Sequence, residues 1–322
     1  MTSRGTQDRA RGSWLPGTAD AHPWRLVLLL LVVPVMLVVA QVARTTNVIF
    51  PESAALSFGI LIMATPTWRG GRWRHLVSIS TSAFLGFALQ ALHLPVLGAE
   101  LVALTAVLFV LTFLRSEMFP SISAALLPIV FHVQSIVYPI SVTTILVVVL
   151  LLDAITARSA PARTIDRHPL EPSLTVTFWL AAVTWLVVGA VLHVPAPALA
   201  PPLFVSTMDL IFHPTTWRTL GTRWLIFAAA AATTTVTLVA TDSVLIAGMA
   251  GYVLALGLVV ILRAPYPPAL AMGIVPLIVV RSQLDLVAPL LVVGAVVLCG
   301  LAWLYGQVMV RLWSKAAASS GL

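Results

Sequence analysis

The chain has 322 residues, of which 60% are hydrophobic and only 9% are charged. Soluble domains carry about 25% charged residues, so this composition excludes a soluble protein and predicts an integral membrane protein. The formal charge of +7 does not indicate nucleic-acid binding, because the basic residues stand in short connections between apolar runs, where they set membrane topology.

The N-terminal residues 1–24 are polar, and we expect them to form a disordered cytoplasmic tail. The first apolar run, residues 25–43, is not followed by a small-residue cleavage site. It is therefore predicted to be a retained first span rather than a signal peptide.

Apolar runs of membrane length predict an all-α, polytopic protein with about twelve transmembrane segments. In chain order these cover about residues 25–43, 52–65, 76–92, 97–114, 119–137, 139–156, 173–193, 199–213, 222–239, 243–262, 266–282 and 286–306. The second and eighth are only about 15 residues, or roughly 22 Å, which is short of a ~30 Å hydrocarbon core. The fifth and eleventh are full length but begin at proline and carry another proline inside.

The arginines test this number of segments. If all twelve segments cross, every one of the 18 basic residues except Arg44 and Arg281 falls on the same side. A missed crossing would scramble that asymmetry in the later loops. The positive-inside rule then predicts that both termini are cytoplasmic. Only one basic residue, Lys315, is a lysine, which favours a GC-rich bacterial genome and hence a bacterial inner membrane.

Landmarks of the first half recur in the second half at an offset of 148 residues. The pairs are Arg115 with Arg263, Pro120 with Pro268, and Pro128 with Pro276. The pattern predicts membrane repeats over 25–156 and 173–306, a cytoplasmic linker over 157–172 and a cytoplasmic tail over 307–322. Because each repeat has an even number of segments, the two should share one orientation.

The proline-led segments are predicted to begin at Pro120 and at Pro267-Pro268. Proline in the first helical turn costs no hydrogen bond, and the free N–H groups beside it make a positive helix end. Pro128 and Pro276 should each kink the segment that contains it. Interrupted segments at matching places in two repeats favour a transport path.

Tryptophan and arginine recur together on the predicted cytoplasmic side. The residues are Trp68, Arg69, Arg115, Trp217, Arg218 and Arg263. They are either interfacial anchors that fix orientation and meet anionic lipid, or a basic vestibule that collects anions.

Asp209 is the sharpest intramembrane candidate, about 14 Å into the eighth segment at 1.5 Å per residue. A bare carboxylate there is costly, so it needs a partner, a wet cavity or a proton. Ser206, one turn away, is the expected hydrogen-bond partner. Asp209 is interpreted either as a proton- or cation-coupling group or as a satisfied structural carboxylate.

Four further ionisable residues lie near the predicted outer face, namely His132, Arg281, Glu52 and Glu100. Together they would form an outward mouth with mixed charge. The alternative for each is a snorkelling or capping residue.

The sequence contains no enzyme motif and no metal-ligand spacing, and its only cysteine, Cys299, excludes an intrachain disulfide. We therefore predict no enzymatic activity, metal or cofactor. The expected partners are the lipid bilayer and a small anionic substrate, with homo-oligomer formation left open and no nucleic acid.

The second half, residues 195–306, resembles the HPP family of integral membrane proteins. Tyr266-Pro267-Pro268 stands where that family has His-Pro-Pro, and the first half keeps only the proline, as Met118-Phe119-Pro120. The paired bundles with Trp-Arg turns are also similar to the fusaric-acid-resistance and aromatic-acid exporter group. Both resemblances imply secondary transport of a small anion or organic acid. The competing class is a membrane scaffold or accessory subunit without transport.

Overall fold

The protein is all-helical. A computed structural model describes residues 23–63, 71–156, 170–279 and 281–320, with the side chains of Pro23, Arg281 and 309–320 excluded. Within these ranges the regular elements are helices, without a β-strand. The all-α fold class is thus confirmed. Residues 1–22 of the predicted tail (1–24) and residues 157–169 of the predicted linker (157–172) lie outside the described residues, whereas Pro23 and Trp24 already belong to the first helix and Pro172 begins a later one.

We number the α-helices α1 to α12 in chain order. The first six are α1 Pro23–Ala43, α2 Glu52–Ser57, α3 Arg72–Ala91, α4 Val96–Leu114, α5 Pro120–Val130 and α6 Val137–Thr156. The others are α7 Pro172–Val191, α8 Pro201–Phe212, α9 Trp217–Thr241, α10 Val244–Ile261, α11 Pro267–Met272 and α12 Val287–Ser320. Helix α2 continues as a π-helix over Phe58–Met63. Helix α12 runs through the boundary at residue 306 that was predicted for the last membrane segment.

The described residues include 8 helical stretches that are long and apolar enough to cross a membrane. Seven of them fall on α1, α4, α6, α7, α9, α10 and α12, and the eighth is Thr46–Met63, which contains α2. Large apolar side chains such as Val42, Phe113 and Ile261 are mostly exposed on these helices. Such a surface would aggregate in water, so the chain is a membrane protein.

The short helices α2, α5, α8 and α11 lie inside the fold. Of Thr46–Met63, 83% is buried, against 33–39% for the other seven stretches. Helix α2 packs against α11 and α5, and α8 packs against the same two helices. We call these four helices the central bundle. The long helices surround it and shield it from lipid.

Two segments of the central bundle are shorter than their sequences predicted. Helix α5 begins at Pro120 as expected but ends at Val130, where His132 adopts a left-handed φ of 53°. Helix α11 begins at Pro267, the expected first position, but ends at Met272. The prediction of continuous full-length segments over 119–137 and 266–282 was therefore wrong.

The prolines explain part of this difference. Pro276 has no N–H for the carbonyl of Met272, and the chain continues as a 3₁₀ turn over Val275–Ile278 instead of a kinked helix. Pro128 stays inside α5, close to its end. Each proline thus lies near the end of a short helix rather than at the kink of a long one.

Several long helices end in a residue with left-handed backbone. These residues are Arg44, His93 and Arg115 in the first half and His193, Asp242 and Arg263 in the second, with φ between 49° and 52°. After Arg115, for example, the Ser116 N–H donates to the Leu111 carbonyl at 2.9 Å, the bond of a Schellman cap. Since this backbone costs a non-glycine residue roughly 1–2 kcal/mol, the surrounding structure must stabilise each of these turns.

Candidate functional site in the central bundle

The α2–α5 side of the central bundle holds a buried acid. Glu52 is the first residue of α2 and only 1% exposed. The Ser123 hydroxyl of α5 donates to its Oε1 atom. The Oε2 atom is buried and has no hydrogen-bond partner among the described residues. Glu52 therefore links two short helices through one oxygen and leaves the other unsatisfied.

Other hydroxyls of α2 are satisfied locally. Ser57 donates to the Ser53 carbonyl at 2.6 Å, and the Ser53 hydroxyl donates to Met36 Sδ at 3.4 Å. These bonds remove the cost of burying the two hydroxyls and leave them without a direct role toward Glu52.

Side chains from the long helices cap the carbonyls that proline leaves free. Pro128 cannot donate to the Ala124 carbonyl, and the Tyr138 hydroxyl of α6 donates to it instead, at 3.0 Å. In the second half, Trp185 Nε1 of α7 donates to the Ala198 carbonyl, just before Pro201-Pro202, at 3.1 Å. The interrupted backbone of the central bundle is thus stable without water at these two points.

The α8–α11 side holds a cation. Arg223 of α9 extends inward, with its guanidinium carbon 3.8 Å from the ring centroid of Tyr266. The Tyr266 hydroxyl lies 2.6 Å from Ser206 Oγ, so Ser206 bonds Tyr266 and the expected bond to Asp209 was wrong. Phe227 stacks on the same tyrosine with ring centroids 5.8 Å apart. Only 15% of the Arg223 side chain is exposed.

Asp209 lies beside this arginine, in the last turn of α8. Its Oδ2 is 3.7 Å from Arg223 Nη1, and its Oδ1 is 3.2 Å from His213 Nδ1. The separation from Arg223 is too long for a hydrogen bond, and Nη1 has no hydrogen-bond partner among the described residues. Asp209 is 29% exposed, and its partners are Arg223 and His213, of which the histidine is charged only when it is protonated.

His213 follows α8 and responds to Asp209. The hydrogen bond to the Asp209 carboxylate is the largest of the effects that raise the pKa of His213 above its ordinary value. The carboxylate of Glu117, just before α5, acts in the same direction. Asp209, His213, Arg223 and Tyr266 form what we call the ion cluster.

A cavity of about 620 Å³ opens between α7, α8, α9 and α12. Its lining includes Glu171, Trp217 and Trp303, together with Cys299 of α12. Cys299 lies 4.0 Å from Thr207 Oγ1 and within electrostatic range of Arg223. Leu210 and Pro214, the sequence neighbours of Asp209 and His213, also line the cavity, so it lies beside the ion cluster although none of the four cluster residues lines it.

The other predicted site residues are dispersed. Glu100 is buried on α4, whereas His132 lies exposed at the end of α5. Arg115 and Arg263 cap helix ends as exposed residues, and Arg218 is exposed on α9. Trp68, Arg69 and the side chain of Arg281 lie outside the described residues. The structure thus buries Glu52 in the centre, places Asp209 half-buried at the end of α8, and leaves His132 and the arginine caps at the surface.

The sequence pattern did not indicate the inward position of Arg223 or the hydrogen bond from Ser123 to Glu52. Arg223 is followed by Trp224 in the sequence, and this Arg-Trp pair does not indicate that the arginine points into the bundle. The available signal was that α9 carries Arg218 and Arg223 five residues apart, on different faces of a helix. Ser123 had no signal of its own, because its role depends on a residue 71 positions away.

Comparison of the chain with protein-family models, with curated proteins and with solved structures found no match.

Proposed function

We propose that this protein is a secondary transporter for a small anion or an organic acid. The observation that carries the proposal is Arg223 Nη1, a buried guanidinium nitrogen without a hydrogen-bond partner among the described residues. Asp209 stands too far away to bond it, and the cavity lies next to the same region, since it is lined by Leu210 and Pro214. An anionic oxygen would supply the missing acceptor in a charge-assisted bond.

The central bundle supports the same proposal. Short helices that begin at proline and meet in the interior are the arrangement in which transporters place substrates. The N-termini of α5 and α11, at Pro120 and Pro267, add positive helix ends to the interior.

We further propose that the chain consists of two parallel six-segment repeats in a bacterial inner membrane, with both termini cytoplasmic. The left-handed caps support the repeats, since Arg44, His93 and Arg115 recur as His193, Asp242 and Arg263 at offsets of 148 to 149 residues. The packing of α2 on α11 and of α5 on α8 supports them too, because each pairs the second segment of one repeat with the fifth of the other. Movement of one repeat against the other would then open the centre to alternate sides.

The test is flux into proteoliposomes with a panel of nitrite, nitrate, formate and aromatic acids. We expect at least one anion to move, and Arg223→Gln to reduce its flux by about tenfold or more, because a charge-assisted bond contributes roughly 1.5–3 kcal/mol. Arg44→Gln is the matched control, since Arg44 is an exposed arginine that belongs to no proposed site and should retain flux.

Two outcomes oppose the proposal. If none of these anions moves and none shifts the melting temperature of the purified protein, the transporter class fails. If anions move equally well in Arg223→Gln and the variant only melts earlier, Arg223 stabilises the fold and a different group must bind the substrate.

A further inference from the structure

The buried carboxyl of Glu52 is not used by the proposed anion site. Its two oxygens have different surroundings, because Oε1 accepts from Ser123 while Oε2 has no partner among the described residues. The side chain is 1% exposed, and Ser123 is fully buried. An ionised carboxylate in such a place is costly unless a cation accompanies it.

Cations on the helices around α2 are engaged elsewhere. Helices α1, α5, α6 and α11 pack against α2, and of these α5 and α11 carry no ionisable side chain. In α1 the one cation is Arg25, which donates to the Leu61 carbonyl at the opposite end of the segment that contains α2.

Helix α6 contributes Tyr138 and Asp153. The tyrosine hydroxyl donates to the Ala124 carbonyl, and Asp153 is paired with Arg72 at 2.8 Å. Tyr138 is close enough for electrostatic interaction with Glu52, but its hydroxyl donates its hydrogen bond to the Ala124 carbonyl. These helices therefore supply Glu52 with one hydroxyl and no counter-ion.

We propose that Glu52 is a proton-binding site and that proton release there separates α2 from α5. A neutral carboxyl fits the cation-free interior and keeps the Ser123 bond. An ionised one requires water or a cation, and it obtains either only if α2 moves away from α5. The π-helix over Phe58–Met63 places an irregular, adaptable turn directly after this part of α2.

This inference rests on the proposed function and names its coupling ion. Substrate movement would be linked to the proton because α2 packs on α11, whose first residue follows Tyr266 of the ion cluster. A change at Glu52 would thus reach the anion site through two adjacent helices.

The transport test uses Glu52→Gln, which keeps the shape and hydrogen-bonding ability of the side chain but cannot titrate. In this variant we expect a pH gradient to drive at least tenfold less accumulation of whichever anion of the panel the wild type transports. Counterflow of the same anion at equal pH on both sides should be retained. Asp285→Asn, at an exposed acid, should leave both unchanged. Accumulation that remains driven by the pH gradient in Glu52→Gln would overturn the inference.

A second measurement needs no substrate. If the folded protein keeps a proton that the unfolded chain releases above about pH 4.3, stability must fall as pH rises. Glu52→Gln should remove that part of the slope, together with the infrared C=O band of a neutral carboxylic acid. Ser123→Ala should shift the band, since it removes the hydrogen bond and keeps the acid.

The two measurements distinguish a failure of the transporter proposal from a failure of the proton-site proposal. Wild-type protein that transports nothing but shows the Glu52-dependent slope and band contradicts the transporter and retains the proton site. Identical pH slopes and spectra in wild type and Glu52→Gln overturn the proton site whatever the flux. Stabilisation by sodium ions that Glu52→Gln abolishes would replace the proton with a metal cation.

Discussion

At the scale of single residues, specific side chains satisfy the backbone and hydroxyl groups that the interrupted helices leave in the centre of this protein. Tyr138 and Trp185 donate to carbonyls that proline cannot serve, and Ser206 holds the hydroxyl of Tyr266. Glu52 Oε2 and Arg223 Nη1 are among the buried atoms that have no hydrogen-bond partner within the described residues, and both belong to ionisable side chains. Unsatisfied buried charge is expensive, which makes these two atoms the best candidates for contact with a proton and an anion.

The bond from Tyr138 to the Ala124 carbonyl gives the first prediction. Tyr138→Phe should destabilise the protein by about 1–3 kcal/mol, because it leaves a buried carbonyl without a donor. Pro128→Ala restores an N–H that can reach Ala124. In the double variant the cost of Tyr138→Phe should shrink. Thermal unfolding in detergent measures all four proteins, and equal costs with and without Pro128 would contradict the explanation.

The pair of His213 and Asp209 gives a pH dependence. Since the folded protein raises the pKa of His213, its contribution to stability is present below the ordinary value of about 6.5 and is lost as pH rises through the raised value. Wild-type melting temperature should therefore decrease over this window. Asp209→Asn should flatten the decrease, and His213→Gln should do the same. If the melting temperature still decreases with pH in both variants, the decrease must come from another titratable group.

At the scale of elements, the close approach of α3 and α5 sets the geometry around Glu52. A Cβ atom on Gly86 would run into the backbone carbonyl of Ala125. Helix α5 can lie this near α3 only because residue 86 has no side chain. The same contact fixes where Ser123, two residues before Ala125, meets α2.

A matched pair of glycine substitutions tests that contact. Gly86→Ala should destabilise the protein by about 1–3 kcal/mol, since the neighbour is backbone and cannot rotate away. Gly257→Ala, within α10 with nothing inside 4 Å of the new atom, should be neutral or stabilise by up to about 1 kcal/mol. Thermal unfolding compares the two variants. Equal effects would mean that helix propensity, rather than packing, decides the outcome.

The sequence predicted the helices well where the signal is local. Proline at 120 and 267 marked the helix starts, and apolar length marked the long helices. The ends of α5 and α11 were missed because apolar residues continue past Val130 and Met272, and composition cannot distinguish a helix from a buried turn. The partner of Ser206 was missed because it lies 60 residues away, where only the fold brings Tyr266 close.

At the scale of the whole molecule, the two halves of the chain complete each other. Helix α2 packs on α11 from the other half, and α5 packs on α8 in the same way. Phe119 and Phe212 meet across this boundary with ring centroids 5.3 Å apart. Glu117 and His213 interact electrostatically at the same place. The central bundle therefore belongs to neither half alone.

This architecture predicts the behaviour of a divided chain. Residues 1–156 and 173–322, produced together as separate polypeptides, should copurify in detergent, because the short helices of each half pack on those of the other half as well as on their own. Either half alone should aggregate or be degraded, since it exposes the surfaces of its short helices that the other half covers. A bis-maleimide bridge between cysteines at positions 119 and 212, in a Cys299→Ser background, should join the copurified halves into one band. The matched pair at 113 and 225, exposed residues of α4 and α9, should not be bridged. A half that is stable and monomeric by itself would show that its short helices pack without the other half, and movement between the two halves would then lose its structural basis.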